Sequence, residues 1–274
     1  MAMGGIPHYL KEVKKGKSAA QNIDAICFSE TGLLKEEFEE LYPALFENSE
    51  KHIAVVRSLA TKWRGLSRTE IIKSINANSG SGLTRTLNDL TQSGFISAYY
   101  PFGKKRKNLL YRLTDEYSLF YLQFMENKVY EGIGTWNHLS QTPAYKSWSG
   151  YAYESICIKH LPQIKKALSI GGVYTLASGF VKKGTKKEKG AQIDLVLDRN
   201  DHVINLFEIK FYNTKLTFTK TMADNLQQKT EVFRKTTKTS KQIFWVLITT
   251  FDLEPNEFSL ALIDQVLGME VLFE

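Results

Sequence analysis

The residues with the clearest chemical potential lie in the segment AQIDLVLDRNDHVINLFEIKFYN. Apolar and polar residues alternate on both sides of the polar stretch DRNDH, which predicts two β-strands joined by a hairpin turn. If the turn centres on Asp201, Asp194 lies directly opposite Glu208, with Cβ atoms about 5 Å apart. Strand geometry places Lys210 on the same face as Glu208. Two carboxylates and an ammonium group are therefore expected to converge on one patch of sheet.

Such a patch favours a divalent cation. Like charges placed directly opposite each other destabilise a hairpin unless something compensates them. Mg²⁺ prefers one or two carboxylates together with substrate phosphates, and Mn²⁺ accepts similar oxygen ligands. Without metal, repulsion between Asp194 and Glu208 is expected to raise the pKa of at least one of the two carboxyls. The alternative is an exposed hairpin with ordinary surface charges, because an Asp followed by Glu-x-Lys also occurs by chance.

The arrangement resembles the active site of the PD-(D/E)XK, or restriction-endonuclease-like, nucleases. In that family the Asp and the Glu hold Mg²⁺, and the Lys helps to position or activate the attacking water. Asp194, Glu208 and Lys210 match those positions, so the resemblance implies that they are the catalytic residues. Ile193 stands where the Pro of the family's PD pair would be, and this departure makes the motif less specific.

The flanking segments predict the α-β-β-β-α-β order of that nuclease fold. A long helical stretch, TPAYKSWSGYAYESICIKHLPQIKKAL, precedes the first strand. Its Glu154 matches a further metal-binding carboxylate that the family often supplies from this helix; an ordinary solvated Glu is the alternative. The run KQIFWVLITTFDL is typical of a buried strand. Gln228 and Lys229 of the second helix could point to the site, but a surface position is favoured for both.

Residues 49–135 have the pattern of a winged helix. A capping box of Ser67 and Glu70 begins its second helix, and two strands follow the third helix. DNA binding is one interpretation, with Arg85 as the only strong base-reading side chain of that helix beside Thr84, Thr86 and Asn88. Protein docking is the alternative. The phosphate contacts of the wing would come from Lys104, Lys105, Arg106 and Lys107.

A second basic segment and the overall charge permit nucleic-acid binding without proving it. The loop 182–189 could follow a phosphate backbone, and the net charge of the chain is +7. The candidate DNA-binding residues of this loop are Lys182, Lys183, Lys186 and Lys187. The two Cys residues lack metal-ligand spacing and indicate a reducing compartment. No secretory signal or apolar run of membrane-spanning length occurs, so a cytoplasmic protein with no membrane partner is expected; the oligomeric state is left open.

The first residues carry a second resemblance. They are similar to the helical lid that follows the nucleotide-binding core of archaeal-type AAA ATPases, on the matches Gly4, Gly5, Ile6, Pro7, Tyr9 and Leu10. There, a winged helix and a restriction-endonuclease-like domain follow the lid. The resemblance therefore implies domains at 1–48, 49–135 and 136–274.

No phosphate-binding loop accompanies that resemblance. The GKS sequence at 16–18 lacks the first glycine and the preceding strand of such a loop, so no ATP hydrolysis is expected. The chain is accordingly expected to be a truncated gene product, an expressed fragment or one part of a split system that includes a separate ATPase subunit.

Together these features predict an α/β (α+β) protein. It comprises an N-terminal all-helical segment, a winged helix-turn-helix, and a restriction-endonuclease-like domain with a mixed central sheet. The expected function is Mg²⁺- or Mn²⁺-dependent hydrolysis of DNA. Two alternatives remain: a non-catalytic DNA- or protein-binding regulator built on the nuclease fold, and a regulatory fragment that docks on a separate ATPase.

Overall fold

The computed structural model describes residues 1–76, 81–104, 108–126, 132–186 and 188–274. The chain divides into two compact units. The first unit comprises Met1–Tyr99 and Leu109–Ala152, and the second comprises Tyr100–Asn108 and Tyr153–Glu274. Residues 1–48 thus share one unit with the winged-helix elements. The division into three domains at 48 and 135 stays a prediction.

Short helices and an aromatic core characterise the N-terminal part of the first unit. Phe38 stacks on Tyr121, with ring centroids 4.3 Å apart, and Tyr42 packs against Phe95. Residues 1–48 therefore bury their aromatic side chains against later parts of the same unit. The helices are α1 (Pro7–Leu10), α2 (Ala19–Ile23) and α3 (Glu37–Leu45), with a π-helical turn at Asp24–Phe28.

The next elements follow the order of a winged helix. Strand β3 lies between β1 and β2 and is antiparallel to both. The predicted capping box is confirmed: the Ser67 hydroxyl and the Glu70 carboxylate each accept a hydrogen bond from the other residue's backbone N–H. The elements are α4 (Ser49–Ala60), β1 (Leu66–Ser67), α5 (Arg68–Ser74), α6 (Ser81–Gln92), β2 (Ile96–Tyr99) and β3 (Leu110–Leu113).

Aromatic rings close the core of the first unit. Phe120 and Phe124 pack against Trp136 and Trp148 at centroid distances of 5.0–5.5 Å. Such tilted and edge-to-face pairs suit the ring quadrupoles. The helices that carry them are α7 (Glu116–Phe124), α8 (Thr135–Leu139) and the first part of α9 (Pro143–Lys159).

A mixed five-stranded sheet forms the second unit, as predicted. Its order is β10-β8-β6-β5-β4; β5 is antiparallel to β4 and β6, whereas β6 and β10 are parallel to β8. The central strand β6 is almost entirely buried. The strands are β4 (Thr175–Lys182), β5 (Ala191–Arg199), β6 (Val203–Lys210), β8 (Gln242–Thr249) and β10 (Gln265–Leu267), with a separate short pair of β7 (Leu216–Thr217) and β9 (Leu253–Glu254).

One long helix packs on one face of this sheet. Helix α11 (Lys220–Thr237) buries Leu226 and Phe233 in a core that includes Val196 of β5 and Leu206 of β6. The predicted α-β-β-β-α-β order is present. The remaining helices are α10 (Leu161–Ala167), α12 (Glu257–Leu262) and a 3-10 turn at Met269–Phe273. Over the described part of the chain, no helix has both the length and the apolar character needed to span a membrane.

Candidate active site

The β5–β6 hairpin has the register predicted from its sequence. Leu195 pairs with Phe207, and Val196 pairs with Leu206. Continued by one residue, this register sets Asp194 opposite Glu208, within the bounds of both strands. The pairing of an Asp with a Glu across one strand pair is therefore a consequence of where the turn lies.

Glu208 is a buried carboxylate with both oxygens engaged. The residue is only 6% exposed. Lys210 Nζ lies 2.7 Å from its Oε1, and Lys229 Nζ lies 2.7 Å from its Oε2. Lys210 follows on the same strand, whereas Lys229 reaches the site from α11. A buried charge is tolerated when it is paired and hydrogen-bonded, and the two ammonium groups satisfy that condition here.

These ion pairs set the titration of the site. Burial raises the pKa of Glu208, but Lys210 and then Lys229 outweigh burial and hold the pKa of this carboxyl below its usual value. The expected rise is therefore wrong for Glu208, because the ammonium groups of Lys210 and Lys229 together outweigh both burial and the repulsion expected from Asp194. Burial lowers the pKa of Lys210, but Glu208, and more weakly Asp194 and Glu154, raise it above its usual value.

Electrostatic interactions thus link the four predicted residues of the site, because Lys210 interacts with Glu208, Asp194 and Glu154. Asp194 is half-buried, and its Oδ1 accepts a hydrogen bond of 2.7 Å from Gln192 Nε2. Glu154, on the part of α9 that belongs to the second unit, is also half-buried and acts on Lys210. Glu208 contacts the Lys210 ammonium directly, and Asp194 and Glu154 each contribute to raising the pKa of Lys210.

The donor chemistry of this neighbourhood fits a hard divalent cation. Carboxylate oxygens are the ligands that Mg²⁺ and Mn²⁺ prefer. In the part of the chain that the structure describes, no three His, Cys, Asp or Glu side chains are already grouped as a metal site. Both oxygens of Glu208 face ammonium groups instead. A metal ion at Glu208 therefore requires at least one lysine to move.

The surface position favoured for Lys229 was wrong, and the alternative, that Lys229 points to the site, agrees with its contact to Glu208. The Lys229 side chain is only 14% exposed. Gln228 Nε2 donates a hydrogen bond of 2.7 Å to the carbonyl of Gly190, just before β5. A signal was present: Lys229 lies three residues after buried Leu226 and four before buried Phe233, a spacing that puts it on the inner face of α11. A lysine at such a position needs a buried partner.

The positive charge of the lysine-rich loop 182–189 is partly neutralised by Glu188. Lys182 Nζ lies 3.9 Å from Glu188, and Lys235 of α11 lies 2.7 Å from the same carboxylate. Lys183 and Lys186 are exposed, and Lys187 lies outside the described residues. The loop keeps exposed positive charge on the same unit as the candidate site.

The third helix of the winged-helix elements offers fewer groups to DNA than predicted. Arg85 is well exposed, with Nε 4.0 Å from Asp89, and Thr84 and Asn88 are also exposed. The expectation for Thr86 was wrong: it is 4% exposed, and its hydroxyl donates to the carbonyl of Gly82. It lies on the buried side of the amphipathic α6 beside Leu87 and therefore faces away from solvent.

The predicted wing loop belongs to the second unit. Phe102 donates its N–H to the carbonyl of Gly179 at 2.7 Å, and its ring lies 5.0 Å from that of Phe233. Lys104 is exposed, whereas Lys105, Arg106 and Lys107 lie outside the described residues. The base of this loop is thus fixed by packing that the sequence did not indicate.

Comparison with protein-family models, with curated proteins and with solved structures gave no match to this chain. The likeness to restriction-endonuclease-like nucleases and to AAA ATPases therefore remains a resemblance of motifs.

Proposed function

We propose that this chain is a Mg²⁺-dependent DNA nuclease that hydrolyses phosphodiester bonds. The supporting observation is the hairpin register, which pairs Leu195 with Phe207 and, continued by one residue, sets Asp194 opposite Glu208. Lys210 lies beside them, with Nζ 2.7 Å from Glu208. Asp194 and Glu208 would hold the metal, with Glu154 as a further carboxylate. Mn²⁺ would serve in place of Mg²⁺.

Each residue of the site has a separate task in this proposal. Bound Mg²⁺ supplies charge neutralisation at the phosphate and an acidified water. Asp194 and Glu208 would provide oxygen ligands from neighbouring strands. Lys210 supplies no ligand; its ammonium orients the water or the scissile phosphate.

Basic side chains outside the site would hold the DNA. The predicted wing with Lys104 and the loop with Lys183 and Lys186 expose positive charge within the second unit. Contacts of this kind to phosphates position the duplex without reading its sequence. Arg85 is the candidate for a base contact.

A specific observation favours a second candidate, a non-catalytic scaffold. Both oxygens of the buried Glu208 are already bonded to ammonium groups, as in an ion-pair network that only stabilises a fold. In that case the chain would be a DNA- or protein-binding regulator, with a separate ATPase subunit as one partner.

A cleavage assay separates the two candidates. Linear, supercoiled and single-stranded DNA would each be incubated with the chain in Mg²⁺, in Mn²⁺ and in EDTA. A nuclease cleaves at least one substrate with either metal and none in EDTA, and Asp194→Asn abolishes that cleavage. A scaffold binds DNA or a protein partner and cleaves nothing under any of these conditions.

A further inference from the structure

The ammonium of Lys229 occupies the Glu208 oxygen that a metal ion would need in order to bind there. This ammonium lies 2.7 Å from Oε2 of Glu208, and the Lys229 side chain is 14% exposed. It comes from α11, whereas Asp194, Glu208 and Lys210 all come from the β5–β6 hairpin. A divalent cation on Oε2 would lie beside this ammonium, and the two positive charges would repel each other.

We infer that Lys229 is a positioning residue that occupies Glu208 in the metal-free protein and is displaced from Oε2 when a divalent cation binds. The inference rests on the proposed function. The displaced ammonium stays next to the site on α11, where it is available to a phosphate oxygen of the substrate. Lys229 therefore couples metal arrival to the presentation of a second cation.

Lys229, rather than Lys210, is the group that moves. Lys210 follows Glu208 by two residues on the same strand, so its stem stays beside the site when a metal takes Glu208. The ion pair that the structure gives Lys229 is with Glu208. Its stem is a flexible four-carbon chain whose head can be redirected by rotation about single bonds.

The affinity for metal reports the displacement directly. Competition by Lys229 reduces the fraction of protein in which Glu208 is free to bind metal. The apparent affinity for metal equals the intrinsic affinity multiplied by that fraction. Removing the ammonium should therefore tighten metal binding by about tenfold. A residue that merely holds Glu208 in place would do the opposite, since its loss would loosen the ligand.

The experiment is a calorimetric titration of the full chain with MnCl₂, in the absence of DNA. Lys229→Met removes the charge and keeps an unbranched apolar stem. Lys229→Gln is a second neutral variant in case the first does not fold. Lys229→Arg keeps the charge. Both neutral variants should bind Mn²⁺ more tightly than wild type, and Lys229→Arg should return the affinity to the wild-type range.

The outcomes distinguish this inference from the proposed function. If wild type binds Mn²⁺ and the folded neutral variants bind it equally or more weakly, the displacement is wrong, while the metal site stands. If neither wild type nor any variant takes up Mn²⁺, the metal site of the proposed function fails, and the displacement fails with it. Uptake by the neutral variants alone supports displacement.

Discussion

At the scale of single residues, the proposed metal binding depends on how the negative charge of the buried Glu208 is neutralised. The carboxylate is 6% exposed and receives one ammonium from its own strand and another from α11. The pairs keep it ionised despite burial, as its lowered pKa indicates. An ionised carboxylate opposite Asp194 is what a divalent cation requires, and the same pairs make the residue important for stability.

Replacement of Glu208 by Ala should destabilise the second unit by about 3 kcal/mol, because it removes the carboxylate that is paired with Lys210 and with the largely buried Lys229. Partial exposure of Lys210 keeps the loss at the lower end of the range for broken buried pairs. Urea unfolding measures the change. Glu254→Ala, at an exposed glutamate of the same unit, is the control and should change the free energy of unfolding by less than about 0.5 kcal/mol. Similar losses in both variants would mean that the pairs contribute nothing.

Metal binding should depend on Asp194 and not on its neighbour Asp198. Asp194→Ala removes a ligand and should abolish calorimetric binding of Mn²⁺. Asp198→Ala is a matched control, because this aspartate lies on the same strand and pairs with Lys241 at 2.6 Å. It should leave Mn²⁺ binding intact. Equal binding by wild type and Asp194→Ala would remove Asp194 from the site.

At the scale of elements, the register of the hairpin could be predicted, whereas the contact that helix α11 makes with Glu208 could not. Two-residue alternation and a polar turn at Asp201 fix the β5–β6 register locally, so that register could be predicted from sequence alone. Lys229 acquires its role only when α11 packs on the sheet, which is a tertiary event. Its place on the inner face of α11 was readable from spacing, but its partner was not.

The same contrast holds elsewhere. The capping box at the start of α5 is local and was predicted correctly. The packing of Phe102 against Phe233 joins residues far apart in the chain, and nothing near Phe102 indicates it. The local sequence pattern thus accounts for the helices and strands. The contact of the Lys229 ammonium with Oε2 of Glu208 and the fixed base of the predicted wing depend instead on long-range packing.

The capping box should give the first unit an acid-sensitive increment of stability. Hydrogen bonding by the backbone N–H of Ser67 lowers the pKa of Glu70. A carboxyl with a lowered folded pKa stabilises above its unfolded pKa of about 4.3, and the effect is lost as pH falls through the folded value. Glu70→Gln should therefore be less stable than wild type at neutral pH, with the gap closing in acid. Urea unfolding from about pH 7 to pH 3 tests this; a gap independent of pH would contradict it.

Loss of the Ser67 side chain isolates the other half of the box. The Ser67 hydroxyl accepts from the N–H of Glu70 at the start of α5. Ser67→Ala should lower the free energy of unfolding by about 1 kcal/mol. Ser67→Asp, which retains an acceptor, is the control and should preserve most of the stability. Unfolding curves that coincide for wild type and Ser67→Ala would show that the cap is dispensable.

At the scale of the whole molecule, the net charge of +7 is the property that concerns DNA. Exposed lysines lie in both units, so charge alone does not locate a binding surface. The predicted wing is the most concentrated basic segment and shares the second unit with the candidate site. Under the proposed function, that location makes the predicted wing the main candidate for phosphate contact.

Charge reversal of the predicted wing should weaken DNA binding and reduce its salt dependence. The variant replaces Lys104, Lys105, Arg106 and Lys107 by Glu. Loss of phosphate contacts lowers the affinity and flattens the slope of log affinity against log salt. Fluorescence anisotropy with labelled duplex measures both.

The matched control reverses Lys11, Lys14, Lys15 and Lys17, which are exposed in the first unit. It makes the same change in net charge and should have a much smaller effect. Equal effects of the two variants would mean that net charge, and not the wing, governs the affinity.

The central claim is that Asp194, Glu208 and Lys210 form a metal-dependent phosphodiesterase site. Its most direct test is Mg²⁺-dependent cleavage of DNA by wild type and by the double variant Asp194→Ala/Lys210→Ala, at equal concentration and after both are shown to be folded. We predict cleavage by wild type that EDTA stops, and none by the double variant. Cleavage by the double variant at the wild-type rate would show that this site is not the catalyst.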